Sequence, residues 1–528
     1  MTYPTILQRL IILAIVLTGI VLQNYLIISG DITWLMHVGK RLLAGGHYYE
    51  NFVEVNPPMA IYIYLIPTLL SLLLHISFIK TVTIYIFVVA GLSWLACCQL
   101  LHKLFAPSDK LIQSIFVTTL AIAYFILPAY AFGQREYFLV LLTMPYLILA
   151  VLRLQNYTVK RWVAVSIGLT AGIGFAIKPY FLLAWLLIEL YMACKSKILT
   201  VWRRTEFLVC FGLILIYVAS IFLLTPQYIT QDKQLINAVY YLSFRVPYSF
   251  LFTYHLVMAG AVSLFIYLTL RKNLQYQILA DLLAISIVSS LGIFLIQQTL
   301  WLYHAIPIFM FTALLVAIFT TEFLQKNNIA QFTKINFKLY KTLAINFILF
   351  SLLVYLFFAT LDNLRTGFYL AKVLFDNPVY YISKTAAGKP IHIFTNNIGI
   401  NYPLIDYTHT TSTSLFPSLW LLTAAHKLAE TDQTPAGQQL ASRIADFVRT
   451  NEVKDIIKHK PVFIFVQRYN KLIMFHKHAI FLSSSIIKTI PAFDYINFFL
   501  QDPRFANVWQ NYQYKGQAGD FSVYELKQ

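Results

Sequence analysis

The stretch LIILAIVLTGIVLQNYLIISGD, residues 10–31, decides the fold class. It runs from Arg9 to Asp31 without a charge. A membrane-spanning helix needs about 20 predominantly apolar residues, and this run supplies them. It carries no small-residue cleavage site, so it reads as an uncleaved first span, not a signal peptide. Further apolar runs follow at roughly 59–78, 81–101, 111–130, 137–152, 162–177, 180–194, 206–225, 249–270, 277–296, 301–321 and 343–360. The composition agrees: of 528 residues, 59% are hydrophobic and 12% charged, with a mean hydropathy of +0.67. Soluble domains are about 25% charged, which excludes a soluble enzyme, a disordered chain and a disulfide scaffold. Cys97, Cys98, Cys194 and Cys210 have no metal-ligand spacing and read as small buried hydrophobes.

After Asp362 the pattern changes. Strand-like runs at Ile391–Phe394 and Val462–Val466 flank a polar helix-like run over about 419–458. The expected fold is therefore mainly α: a polytopic helical membrane domain, residues 1–361, followed by a soluble C-terminal α/β domain, residues 362–528. No internal repeat is visible.

The net charge of +18 comes from 40 Lys and Arg against 22 Asp and Glu. In a membrane protein this is the positive-inside bias and implies no nucleic-acid partner. Basic clusters at His102-Lys103 with Lys110, Arg153 with Lys160-Arg161, Lys195 through Arg204, Arg271-Lys272, and Lys326 through Lys341 mark cytoplasmic loops. The alternate loops are then outside: Gly133–Glu136, Lys178-Pro179, about 226–248, Gln297–Tyr303 and the tail after 360. This parity closes only if the run 59–78 does not cross. It reads as an interfacial helix on the outer face, preceded by Pro57-Pro58 and carrying Tyr62 and Tyr64. A second interfacial helix follows Gly30-Asp31, with Trp34, Leu35, Val38, Leu42 and Leu43 on one face and Gly45-Gly46 ending it. About eleven true spans result.

Ionisable residues at the membrane boundary are functional candidates by default. Asp31 stands just beyond the first span; its blander reading is a helix cap. Glu50 and Glu54 lie in YYENFVEVNPP, residues 48–58, whose blander reading is a solvated turn. Arg135-Glu136 falls between apolar runs in FGQREY, residues 132–137, where a local ion pair is the ordinary alternative. Lys178 ends GIGFAIK, residues 172–178, on the outer side, against the charge bias; the ordinary alternative is a snorkelling lysine. Tyr303 and His304, in WLYHAIP, residues 301–307, return to the same level. An aromatic belt and a satisfied helix-end histidine would equally produce them. Arg245 is a further cation in an outer loop. Two carboxylates, Asp31 and Glu136, suit deprotonation of an acceptor hydroxyl. Cations suit the charge that develops on a departing phosphate. No P-loop is present. No metal-ligand motif is present either, so no cofactor is expected, although the carboxylates are compatible with a divalent ion.

In this order the residues resemble the GT-C membrane glycosyltransferases, the superfamily of the protein O-mannosyltransferases and the lipid A aminoarabinose transferases. The resemblance covers roughly residues 1–325. It rests on Gly30-Asp31, Glu54-Val55-Asn56-Pro57-Pro58, Glu136, Gly172 through Lys178, and Tyr303-His304 with Pro307. It implies that Asp31 is the acceptor-activating acid, that Glu136 takes the second acidic position, commonly Asp in relatives, and that Lys178 binds the donor phosphate. Where the family commonly has basic residues near the last motif, this chain offers His304. The implied donor is an undecaprenyl- or dolichyl-phosphate sugar. The implied acceptor is an extracytoplasmic glycolipid, polysaccharide or protein. The implied location is a bacterial inner membrane, with the active site and the C-terminal domain outside. On this reading Arg135 joins Lys178 on the phosphate, Glu54, Tyr303 and His304 contact substrate, and Asp31, Glu54, Glu136, Lys178 and His304 line one outer-face cavity. The rival reading is a lipid or polysaccharide transporter, which would place its charges near the bilayer midplane. A membrane anchor for the 362–528 domain is a third, and leaves Asp31, Glu136 and Lys178 unexplained.

Overall fold

The computed structural model describes residues 6–196, 201–230, 236, 239, 240, 244–326, 337–474, 486–491 and 493–527. Most of the basic run Lys326 through Lys341, and parts of the loop 226–248 and of the basic stretch 195–204, lie outside the described residues. The chain divides into two compact units. One comprises Met1–Ile27, Val82–Ser220 and Val246–Phe368; the other comprises Ile28–Thr81, Ile221–Arg245 and Tyr369–Gln528.

The first unit is a helix bundle. Among the described residues of the whole chain, eight helices are long and apolar enough to cross a membrane: Ile6–Tyr25, Phe78–Leu104, Arg135–Leu154, Thr205–Leu224, His255–Asn273, Gln277–Gln297, Leu302–Glu322 and Phe347–Phe375. Three runs expected as spans fold as shorter helices: Lys110–Phe125 and Arg161–Ala176 of 16 residues, and Leu182–Lys195 of 14. All three fall below the roughly 17 residues a span requires. The helices Arg135–Leu154 and Leu302–Glu322 are largely enclosed, whereas Ile6–Tyr25 and Thr205–Leu224 are mostly exposed. Exposed Leu208 and Ile216 on the latter are what a lipid-facing surface carries. Cys97 and Cys210 are buried as expected, but Cys98 is half-buried and Cys194, at a helix end, is exposed.

One end of this bundle is fastened by buried carboxylates. Glu206 takes a two-pronged bond from Arg153, at 3.0 Å on both oxygens, while Arg204 pairs with Glu189. Asp281 accepts from Arg271 Nε at 2.9 Å and Nη2 at 2.7 Å, and from the hydroxyls of Tyr191 and Tyr267 at 2.6 Å each. These groups stand at helix ends, next to the basic loops.

The second unit holds a five-stranded sheet of order β2-β1-β3-β7-β6. Its strands are β1 (Pro390–Phe394), β2 (Thr411–Ser412), β3 (Phe463–Gln467), β6 (Tyr512–Ala518) and β7 (Phe521–Leu526); β4 (Tyr469–Met474) and β5 (Ile486–Pro491) form a separate hairpin. β1 runs parallel to β2 and β3, and β7 runs antiparallel to β3 and β6. The mixed α/β pattern expected after Asp362 is present. The expected polar helix is two helices, Trp420–Thr431 and Pro435–His459. The break arises because Thr434 caps the second helix by accepting from Gly437 N and Pro435 fixes its first turn. Rings of Phe394, Tyr495, Phe499, Phe505 and Trp509 fill one side of the sheet.

Below the segment after β2 lies a buried polar group. Glu452 takes the Ser414 hydroxyl and lies 2.8 Å from His392 Nε2, while Thr413 Oγ1 meets His392 Nδ1 at 2.7 Å. Beside them Asp455 Oδ2 accepts from Leu415 N at 2.9 Å. Burial, reinforced by the Glu452 charge and opposed by His392, pushes the Asp455 carboxyl up to about 7.

This unit also contains three short helices: Gly30–Leu43, Pro58–Tyr62 and Leu65–Leu74. The first matches the expected amphipathic helix and ends at Gly45, whose φ of 83° suits glycine. The last two replace the single expected helix 59–78, and neither is long enough to cross a membrane. Ile66, Leu69, Leu73 and Leu74 are exposed along Leu65–Leu74.

Candidate active site

In the helical unit, four helix ends bring together five of the residues singled out by their sequence, Arg135, Glu136, Lys178, Tyr303 and His304, with Gln297 beside them. Gly133, at φ 84°, turns the chain so that Gln134 precedes the Arg135–Leu154 helix. Glu136 is thus in the first turn, where the helix dipole favours a carboxylate. Lys178 is extended, φ −138° and ψ 141°, because Pro179 follows it. Gln297 is the last residue of its helix, and His304 stands in the first turn of Leu302–Lys326.

Lys178 Nζ donates to Glu136 Oε1 at 2.5 Å and to Gln297 Oε1 at 3.2 Å. His304 Nε2 lies 3.4 Å from the same Glu136 oxygen, and its Nδ1 meets Thr299 Oγ1 at 2.6 Å. Tyr180 OH donates to Gln297 Oε1 at 3.1 Å. Two donors on that atom fix the orientation of the amide. The Arg135 guanidinium lies over the Tyr303 ring at 5.6 Å and donates to Gln134 Oε1 at 3.2 Å. The Lys178 ammonium lies 5.9 Å from the centroid of the same ring. Glu136 is 0%, Arg135 3%, and Lys178 and His304 4% exposed. Among the described residues nothing hydrogen-bonds Glu136 Oε2 or Gln297 Nε2, although both atoms are buried. The group therefore offers cations on aromatic faces beside a carboxylate that retains an unused oxygen.

Asp31 and Glu54 belong to the other unit. The cap reading of Asp31 is corrected: the helix begins at Gly30, so Ser29 holds the cap position and Asp31 is already within the first turn. Asp31 is half-buried. Glu54 is buried and engaged on both oxygens. Trp34 Nε1 donates to Oε2 at 2.6 Å, while Asn56 donates its backbone N–H and its amide to Oε1, each at 2.7 Å. These bonds fold the Asn-Pro-Pro turn. Glu50 and Arg245 are exposed. Among the described residues no group of three or more His, Cys, Asp or Glu side chains is arranged to hold a metal ion.

Three members of the helical cluster, Tyr180, Gln297 and Thr299, were not singled out from the sequence. Their signal was weak: Gln297-Gln298-Thr299 is a polar break before an aromatic run, and Tyr180 follows Lys178-Pro179.

Comparison with solved structures now bears on the arrangement. ArnT from Cupriavidus metallidurans, in the crystal structure bound to undecaprenyl phosphate, superposes with a TM-score of 0.54 at 10% identity, over 98% of this chain and 97% of its own. The chain has the fold of ArnT. The apo structure of the same protein aligns at a TM-score of 0.48 and 11% identity, over 97% of each chain. No protein-family model matches the sequence, and no curated protein matches it. With eight helices among the described residues long and apolar enough to cross a bilayer, the chain is an integral membrane protein.

Proposed function

We propose that this protein is a membrane glycosyltransferase that moves a sugar from a polyprenyl-phosphate donor to an extracytoplasmic acceptor. The observation that carries the reading is the buried Lys178–Glu136 pair, 2.5 Å apart, in a chain with the fold of a protein crystallised with undecaprenyl phosphate. Lys178 and Arg135 hold the donor phosphate, and Glu136 keeps Lys178 charged and oriented as the second acid of the site. Asp31 takes the proton of the acceptor hydroxyl, whose oxygen then attacks the anomeric carbon. The bond from that carbon to the phosphate oxygen breaks, and the phosphate leaves with the electron pair. Its charge is stabilised by the two cations. Tyr303 and His304 complete the donor side, and Glu54 supports the substrate through the turn it folds. The reaction face and the 362–528 domain are outside a bacterial inner membrane, a reading supported by the basic character of the alternate loops.

The test is donor turnover. Purified protein is given a panel of undecaprenyl-phosphate hexoses and pentoses, and release of undecaprenyl phosphate is measured. Release from at least one donor, lost in Lys178→Met, is expected. No release from any donor, together with lipid movement across vesicles that depends on the protein, would replace this reading with a transporter.

A further inference from the structure

The second unit contains an arrangement that this function does not use. In open α/β sheets a ligand binds outside the carboxyl ends of the strands, where connections leave to opposite sides. Here β1 is flanked by β2 on one side and β3 on the other. The connection from the carboxyl end of β1 includes Ile398–Thr410. It is packed against the Gly30–Leu43 helix.

The contact is close and continuous. A Cβ on Gly30 would collide with Tyr402 O and lie 3.1 Å from Ile398 O. The Trp34 and His37 rings meet the Tyr402 ring edge-on at 5.2 and 5.3 Å. His37 Nε2 is 2.9 Å from Asp406 Oδ1. Arg41 Nη2 donates to Ser414 O at 3.0 Å, and Val53 N donates to Leu415 O at 3.0 Å. Positions 30, 34, 37 and 41 form one helical face. The first three turns of the helix are therefore fixed against Ile398–Asp406, and the last against Ser414. Asp31, about 100° further round, has its direction set by that face.

We infer that Tyr402 and Asp406 are positioning residues for Asp31, and that the C-terminal α/β part serves the reaction by fixing the rotation and axial position of the Asp31 helix. The inference rests on Asp31 as the base. Gly30 is required because any side chain there would drive the helix off the Tyr402 carbonyl. The His37–Asp406 pair then locks the third turn.

The experiment is a double-mutant cycle on full-length protein. Asp406→Asn and Asp31→Asn are made singly and together, and single-turnover transfer is measured with whichever undecaprenyl-phosphate sugar the panel identifies. Affinity for undecaprenyl phosphate alone is measured in parallel. A misplacement of about 1 Å costs on the order of 100-fold, so Asp406→Asn should lower the transfer rate about 10- to 100-fold with affinity within twofold of wild type. In the Asp31→Asn background it should lower the rate no further. Exchanging the pair, His37→Asp with Asp406→His, should recover most of the rate, and it serves as the test if Asp406→Asn does not accumulate. An equal further loss in the Asp31→Asn background would make Asp406 a general structural residue and overturn the inference, as would an unchanged rate in Asp406→Asn or an exchange variant no better than His37→Asp alone. If Asp31→Asn itself transfers normally, the base assignment fails instead, and the two failures are distinct.

Discussion

Replacing Lys178 by methionine separates two roles that one ion pair can hide. The ammonium is 5% exposed and its partner carboxylate 0%, so the substitution leaves a charge buried without its main partner. Breaking such a pair costs about 3–5 kcal/mol, a large share of a typical stability of 5–15 kcal/mol. A functional role adds a second loss. A hydrogen bond to a charged group contributes about 1.5–3 kcal/mol, so a phosphate deprived of Lys178 binds roughly 10- to 150-fold more weakly. Adding Glu136→Gln removes the stranded charge but does not replace the cation. In detergent, Lys178→Met should therefore unfold well below wild type, and Lys178→Met with Glu136→Gln should regain most of the lost thermal stability. Undecaprenyl phosphate binding, measured by displacement of a fluorescent analogue, should stay weak in both. If the double variant binds as tightly as wild type, Lys178 is only the structural partner of Glu136 and the phosphate assignment is refuted.

Asp31→Asn should abolish transfer by about 100- to 10,000-fold while expression and undecaprenyl phosphate affinity hold, as read by single-turnover assay and binding; near-normal transfer would exclude Asp31 as base. Thr299→Val should leave His304 Nδ1 buried without its partner, costing about 1–3 kcal/mol, and should depress transfer more than expression; an unchanged rate would show that the orientation of His304 does not matter. Asp455 binds its proton more tightly in the folded protein, from 3.8 up to about 7, so its contribution is present below pH 4 and is lost as pH rises through 7. Asp455→Asn, scanned for thermal unfolding from pH 4 to 8, should match wild type at the acid end and exceed it at pH 8, by at most about 4 kcal/mol; parallel curves would contradict the raised carboxyl.

The membrane fold was legible because a long apolar run has few alternatives, and Glu136, Lys178 and His304 stood out as charges or near-charges at the ends of such runs. What the sequence could not supply was partnership. Glu136 is followed in sequence by Tyr137, yet its partner Lys178 comes from the far end of another helix. Gln297 and Thr299 carry no charge and became visible only through the atoms they touch. Glu189, Glu206 and Asp281 passed unremarked because each sits near a basic loop, where a carboxylate looks like ordinary surface; burial against arginine is a property of packing. Glu54 reads as a substrate ligand in a polar loop, but its two oxygens are occupied by Trp34 and Asn56, a geometry that spacing does not reveal. The split of the polar helix at Thr434-Pro435 was available in the sequence, as a cap followed by a proline.

The Arg135–Leu154 helix carries Glu136 at one end and Arg153 at the other, and the Gln277–Gln297 helix carries Asp281 and Gln297 in the same way. At 1.5 Å per residue both separations come to about 24–26 Å, slightly less than the roughly 30 Å of a typical hydrocarbon core. The bundle therefore behaves as a gauge of bilayer thickness. In long-chain lipids the buried Lys178 group would be drawn below the headgroups, and in short-chain lipids it would be lifted into them, so acyl-chain length becomes a handle on how the ion cluster would meet the proposed lipid phosphate.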